Sequence, residues 1–153
     1  MNIAEMLRKE FILEELKARN KRDALAELAG VFEKGKIKAD PDAVIHVLLE
    51  RERLGSTGIG EGIAIPHCKI SGIDKMAISF GRSREGIAFE AMDGKPVHLF
   101  FLLMAPEDSA GQHLKVLAKI SRMLKDPAFR KNLLDAKNRD DLFRIIAEKD
   151  DQC

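Results

Sequence analysis

A chain of 153 residues has room for one ordinary domain, long enough to bury most of its apolar side chains without a disulfide or metal staple. Lysine and arginine (26) almost balance aspartate and glutamate (25), and no run of like charge stands out, so a general attraction to nucleic acid or anionic membrane is not indicated and partners are expected to be recognised by local patches. The two cysteines, Cys68 and Cys153, form no Cys-x-x-Cys pair and suit reduced thiols in cytoplasm.

From the amino terminus, Met1 to Lys17 mixes Glu5, Arg8, Lys9, Glu10, Glu14 and Glu15 among apolar residues, so neither a signal peptide nor a membrane span is expected there. Within it, Ile3–Arg8 reads as a short helix and Glu10–Leu16 as a strand. Asn20 is placed to cap a helix whose Ala24, Leu25, Leu28, Ala29 and Phe32 fall at helical spacing, with Gly35 at its end. Asp40-Pro41 opens the next helix, and Val44, Val47 and Leu48 form its inward stripe. Continuing that stripe places Arg51 at the helix end, facing a glycine-rich loop.

The loop is Gly55-Ser-Thr-Gly-Ile-Gly-Glu-Gly62, four glycines in eight residues, whose backbone N–H groups are open to an anion. Ile63–Pro66 then reads as a strand ending at His67. Further strands are expected at 76–83 and 87–91, with an Asp93-Gly94 turn before Val97–Met104. This last run is apolar on both faces, the pattern of a central strand covered on both sides. Ser109-Ala-Gly-Gln112 resembles a capping box opening a long helix, with Leu114, Leu117, Ala118, Ser121 and Leu124 as its inner face. Asp126-Pro127 starts another helix, and Asp140–Ala147 supplies the last. The elements predict an α/β fold, a single domain over residues 1–153 with a central mixed β-sheet flanked by helices on both faces.

His67 is the leading candidate for chemistry. A neutral imidazole nitrogen is a good nucleophile toward phosphorus, and the product's added charge of about −2 needs nearby donors. His113, in the first turn of its helix, is placed where the macrodipole favours an anion, and Arg51 offers a planar fork to phosphoryl oxygens. Ser56, Thr57 and Gly58 could add donors or simply shape the turn. His98 reads as a satisfied core histidine and His46 as a surface residue. Neither Gly-x-Gly-x-x-Gly nor Gly-Lys-Ser/Thr occurs, which argues against a dinucleotide fold and a P-loop. Convergence of His67, Cys68, His98 and His113 on zinc, as in a metal-dependent hydrolase, is open but has no supporting spacing.

Arg51-Glu-Arg-Leu-Gly-Ser-Thr-Gly-Ile-Gly60, Gly62-Ile-Ala-Ile-Pro-His67, Asp93-Gly-Lys-Pro-Val97 and Gln112-His-Leu114 together resemble enzyme IIA of the phosphoenolpyruvate-dependent phosphotransferase system, fructose and mannitol type, nearest its nitrogen-regulatory branch. The resemblance implies that His67 accepts a phosphoryl group from a histidine-containing phosphocarrier protein, with His113 and Arg51 flanking it. It implies onward transfer to an enzyme IIB, as in a sugar permease, or use as a signal to a regulatory target protein. No cofactor, nucleic acid or membrane insertion is implied. A binding regulator switched by His67 phosphorylation is the alternative from a different class. Two positions depart from the pattern. Glu61 stands where a neutral residue such as asparagine is usual, and its carboxylate repels an incoming phosphoryl group unless it turns toward solvent, so slower phosphorylation or an altered choice of donor is expected. Cys68 stands where glycine is usual; its Cβ does not suit a positive φ, so a changed loop shape is expected, with the thiol half-buried and inert.

Overall fold

The computed structural model describes residues 2–153; Met1, the first residue of the charged and apolar amino-terminal segment, lies outside them. Among the described residues, twelve helices and strands run in the order α1 (Ile3–Leu7), β1 (Ile12–Leu13), α2 (Lys21–Gly30), α3 (Pro41–Arg53), β2 (Gly58–Gly60), β3 (Ile63–Ala64), β4 (His67–Ile70), β5 (Ala77–Ile87), β6 (Val97–Pro106), α4 (Gln112–Leu124), α5 (Pro127–Asp135) and α6 (Arg139–Gln152). The sheet is mixed, in the order β1-β5-β6-β3-β2, with β4 also on β6. Strands β5 and β6 are antiparallel, while β3 and β4 both run parallel to β6.

The β6 strand lies at the centre, as its continuous apolar run implies. Leu99, Phe101 and Leu103 on one face and Phe100, Leu102 and Met104 on the other are all buried. Phe101 meets Phe80 edge-on, and Phe100 meets Phe89 in the same way, so aromatic pairs lock adjacent segments in register. Helices cover both faces.

Local capping defines most helix starts. The side chains of Asn20, Asp40, Asp126 and Asn138 accept from Asp23, Asp42, Ala128 and Asp141 N–H groups. Elsewhere the structure corrects the sequence expectations. Residues 10–16 give only a 3-10 turn over Lys9–Phe11 and the two-residue β1, because only Ile12 and Leu13 pair in the ladder with β5, and beyond them Leu16 keeps a single N–H bond to the Arg82 carbonyl. The α2 helix tightens into a 3-10 turn at Val31–Gly35, which holds Phe32. A single β5 replaces the strand expected at 76–83 and extends to Ile87 across an irregularity after Arg82, whereas residues 88–91 form no strand beyond an Ala88 bridge to Asn20.

The inner face of α4 is Val116, Ile120, Met123 and Leu124, and Leu114 is 61% exposed. Both stripes have helical spacing, and packing on β6 selects the one offset from that expected. Ser109 does not cap α4; Gly111 precedes it with φ 83 and no side-chain cap. At the other end of the sheet Arg82, 1% exposed, donates to the carbonyls of Glu14, Leu133 and Ala136, meeting the negative end of α5.

Candidate functional site

His67 opens β4, where a strand expected to end begins again. Between β3 and β4 the chain leaves the ladder at Ile65 and Pro66, then resumes on β6 with His67 opposite Leu103. That break has a chemical consequence. Ile65 donates its N–H to the Thr57 carbonyl at 3.0 Å, and its own carbonyl, freed from the sheet, lies 3.0 Å from His67 Nδ1. A carbonyl only accepts, so Nδ1 carries the proton.

On the other side of the ring, Arg51 Nε–H donates to His67 Nε2 at 3.3 Å. Arginine only donates, so Nε2 presents its lone pair. The two contacts together define a neutral imidazole in one tautomer. Arg51 is itself held by donation from its terminal nitrogen to the Gly55 carbonyl at 2.8 Å. Burial pushes the pKa of His67 below the usual 6.5; the Ile65 carbonyl and Glu52 oppose this, and Arg51 adds to it.

His113 sits in the first turn of α4, with Nδ1 3.2 Å from the Ser109 hydroxyl. Ser109 therefore meets the imidazole in place of the helix start. Burial lowers the pKa of His113, and the charges of Lys69 and His67 lower it further. Both histidines are thus disposed to be neutral near neutral pH.

The neighbouring loop residues turn inward. Thr57, 4% exposed, donates both its N–H and its hydroxyl to the Glu52 carboxylate, and Gly58 donates its N–H to Ser56 Oγ. These donors shape the loop. The Arg51 stripe also needs correction: the buried series on α3 is Val44, Leu48 and Glu52, at intervals of four, with Arg51 half-buried beside it. Glu52 is not a candidate on sequence grounds because a charged side chain reads as solvated. Its signal is a carboxylate in the last turn of a helix, at the end the macrodipole disfavours for an anion.

Glu61 occupies the β2–β3 turn with φ 58, and its largely exposed carboxylate is 3.9 Å from Arg130. Cys68 needs no left-handed backbone; it is buried on β4, and burial pushes its thiol up to about 12. His98 is half-buried and bonds through Nδ1 to the Ser83 carbonyl at 2.8 Å, and His46 is exposed. Among the described residues no three histidine, cysteine, aspartate or glutamate side chains form a group that could hold a metal ion.

Residues 5–149 match the family of the phosphoenolpyruvate-dependent sugar phosphotransferase system, EIIA 2. The chain belongs to this family. Its role is that of a phosphocarrier within the phosphotransferase system. Over 148 residues it is 40% identical to a nitrogen regulatory protein of Bradyrhizobium diazoefficiens, covering 96% of this chain and 95% of that protein. It is 39% identical over 150 residues to the fructose-specific EIIABC component of Bacillus subtilis, 98% of this chain but only 24% of that longer protein. The solved structure of nitrogen regulatory protein IIA-Ntr from Neisseria meningitidis superposes with a TM-score of 0.87 at 33% identity, covering 94% of this chain and 98% of that one. This EIIA fold therefore carries the mixed sheet and flanking helices expected from sequence. Among the described residues no helix is long and apolar enough to cross a membrane.

Proposed function

We propose that His67 is the phosphoryl acceptor of this phosphocarrier and that Nε2 is the attacking atom. The observation that carries the reading is the pair of contacts on one ring: Nδ1–H on the Ile65 carbonyl and the Nε2 lone pair facing Arg51. The donor is a phosphohistidine on a small carrier protein. Nε2 attacks phosphorus as the donor's P–N bond breaks, and the bonding pair returns to the donor imidazole. Arg51 then turns its fork from the lone pair to the phosphoryl oxygens, and His113 contributes a second donor. The added charge of about −2 beside His113 favours the protonated form of that imidazole.

The acceptor is a second protein, an enzyme IIB or a regulatory target. Protein partners suit the surface, because Leu54, next to Gly55, and Leu114, next to His113, are 85% and 61% exposed. We favour the nitrogen-regulatory reading over sugar uptake, with the whole chain acting as one domain. Its support is the relative matched over 95% of its own length, whereas the fructose-specific EIIABC component of Bacillus subtilis is matched over 24%. The identity to that component supports the second reading, an uptake subunit passing its phosphoryl to an enzyme IIB.

The test is phosphoryl transfer from a phosphorylated histidine carrier protein, read by intact mass and by acid lability of the adduct. Wild type is expected to gain one acid-labile phosphoryl group, and His67→Ala none. Labelling retained in His67→Ala, or no gain in wild type, would overturn the assignment.

A further inference from the structure

The side of the imidazole away from Arg51 is tied to a buried charge through an unbroken run of contacts. Glu52, 7% exposed, holds Thr57 twice, at the N–H (3.1 Å) and at the hydroxyl. Lys21 Nζ lies 3.3 Å from the same carboxylate, with only 15% of its side chain exposed, and its ammonium sits 5.0 Å from the centroid of the Phe89 ring. The Thr57 carbonyl takes the Ile65 N–H at 3.0 Å, and the Ile65 carbonyl takes His67 Nδ1–H at 3.0 Å. The Glu52 carbonyl accepts from Gly55 N–H at 3.1 Å, and Gly55 in turn holds Arg51.

We propose that Glu52, neutralised by Lys21, is a positioning residue: by fixing Thr57 it places the Ile65 carbonyl that holds His67 in the Nδ1–H tautomer. A buried carboxylate is costly unless paired and fully hydrogen-bonded, and here one ammonium and two donors from a single loop residue satisfy it. The arrangement holds the loop at one point. Without it the Thr57 end of the Thr57–Ile65 bond, which extends the β2–β3 pairing past Gly58 and Ala64, loses its side-chain anchor, and the Ile65 carbonyl is less strictly aimed at Nδ1. The Nδ1–H form is then favoured by the Arg51 contact at Nε2 alone, and the share of rings with the proton on Nε2, where it removes the lone pair that phosphorus needs, rises. The consequence for phosphoryl transfer rests on the reading of His67 as acceptor; the consequence for the tautomer does not.

The experiment reads both in the full chain. Nitrogen-15 NMR of the His67 ring, at a pH well above its titration range, reports the tautomer, and phosphoryl transfer from the phosphorylated carrier reports the rate. Glu52→Gln offers one acceptor where the carboxylate has two, and Thr57→Val removes the hydroxyl while preserving the shape of the side chain. Each is expected to shift the ring away from pure Nδ1–H and to slow transfer by roughly tenfold to a hundredfold, as loss of a histidine's orienting partner does elsewhere. Affinity for the unphosphorylated carrier should stay unchanged, and Thr57→Ser should restore both signals. Should Glu52→Gln fail to fold, Thr57→Val carries the same test. Folded variants with the wild-type tautomer would overturn the proposal. A shifted tautomer in variants of a chain that no carrier phosphorylates would sustain the positioning role and overturn the acceptor assignment alone.

Discussion

At the scale of single residues the site is governed by which nitrogen of His67 holds the proton. The ring's surroundings favour the neutral form, with burial the largest influence, so its titration falls below the ordinary value of 6.5. Phosphoryl acceptance at Nε2 should therefore be insensitive to pH through the neutral range and fall only as pH drops through that lowered value. The sign for stability is the same. An imidazole buried neutral contributes stability that is fully present above the unfolded value and lost as pH falls through the folded one. An NMR titration of the His67 ring should give a midpoint below 6.5, and His67→Gln should flatten the acid side of the stability profile. A midpoint at or above the ordinary value would contradict the proposed electrostatics.

At the scale of elements, the β2–β3 hairpin and the broken edge of β6 form the site. Gly60 pairs with Ile63, so Glu61 and Gly62 form a two-residue loop, and both have positive φ, at 58 and 75, as a type I′ turn requires. Asparagine tolerates that backbone far better than glutamate, and the exposed contact to Arg130 at 3.9 Å offsets little. Glu61→Asn is expected to raise stability by about 0.5–1 kcal/mol, measured by chemical denaturation, and unchanged or lowered stability would refute the strain argument. The legibility of these elements in the sequence tracks their locality. Asn20, Asp40 and Asp126 announce helix starts because a cap is satisfied within three residues. His67, His113 and Arg51 are legible because their chemistry is written in residue type. The division into β3 and β4 is not, because it depends on where Ile65 meets Thr57 and where His67 meets β6. The buried face of α4 is ambiguous for a similar reason: Leu114 and Val116 both belong to apolar stripes, and only the sheet decides between them. Arg82 is silent in the sequence and Glu52 shows only as a carboxylate at a helix end, because what marks them as buried charges is partners such as Leu133 and Lys21, distant along the chain.

Across the whole molecule, the ends of the chain are joined by a charge cluster separate from the acceptor site. Asp150 on α6, 4% exposed, accepts from the Ala4 N–H in the first turn of α1 at 3.1 Å and lies 2.6 Å from Lys119 Nζ on α4. One carboxylate therefore connects three helices, and the side chains of both ionic partners are largely removed from water. None of these contacts is shared with the network of Glu52, Thr57, Ile65 and His67, so the two should act independently. Asp150→Ala takes the carboxylate away from a buried ammonium and a helix-start N–H, and a loss of about 3–5 kcal/mol in stability is expected. Thermal and denaturant unfolding would measure it, and phosphoryl transfer normalised to the folded fraction should remain at the wild-type rate. A stability loss under about 1 kcal/mol would show that the cluster is no better than a surface ion pair. A depressed rate per folded molecule would instead mean that closure of the chain ends reaches the His67 ring, coupling through α4, the one helix that carries both Lys119 and His113.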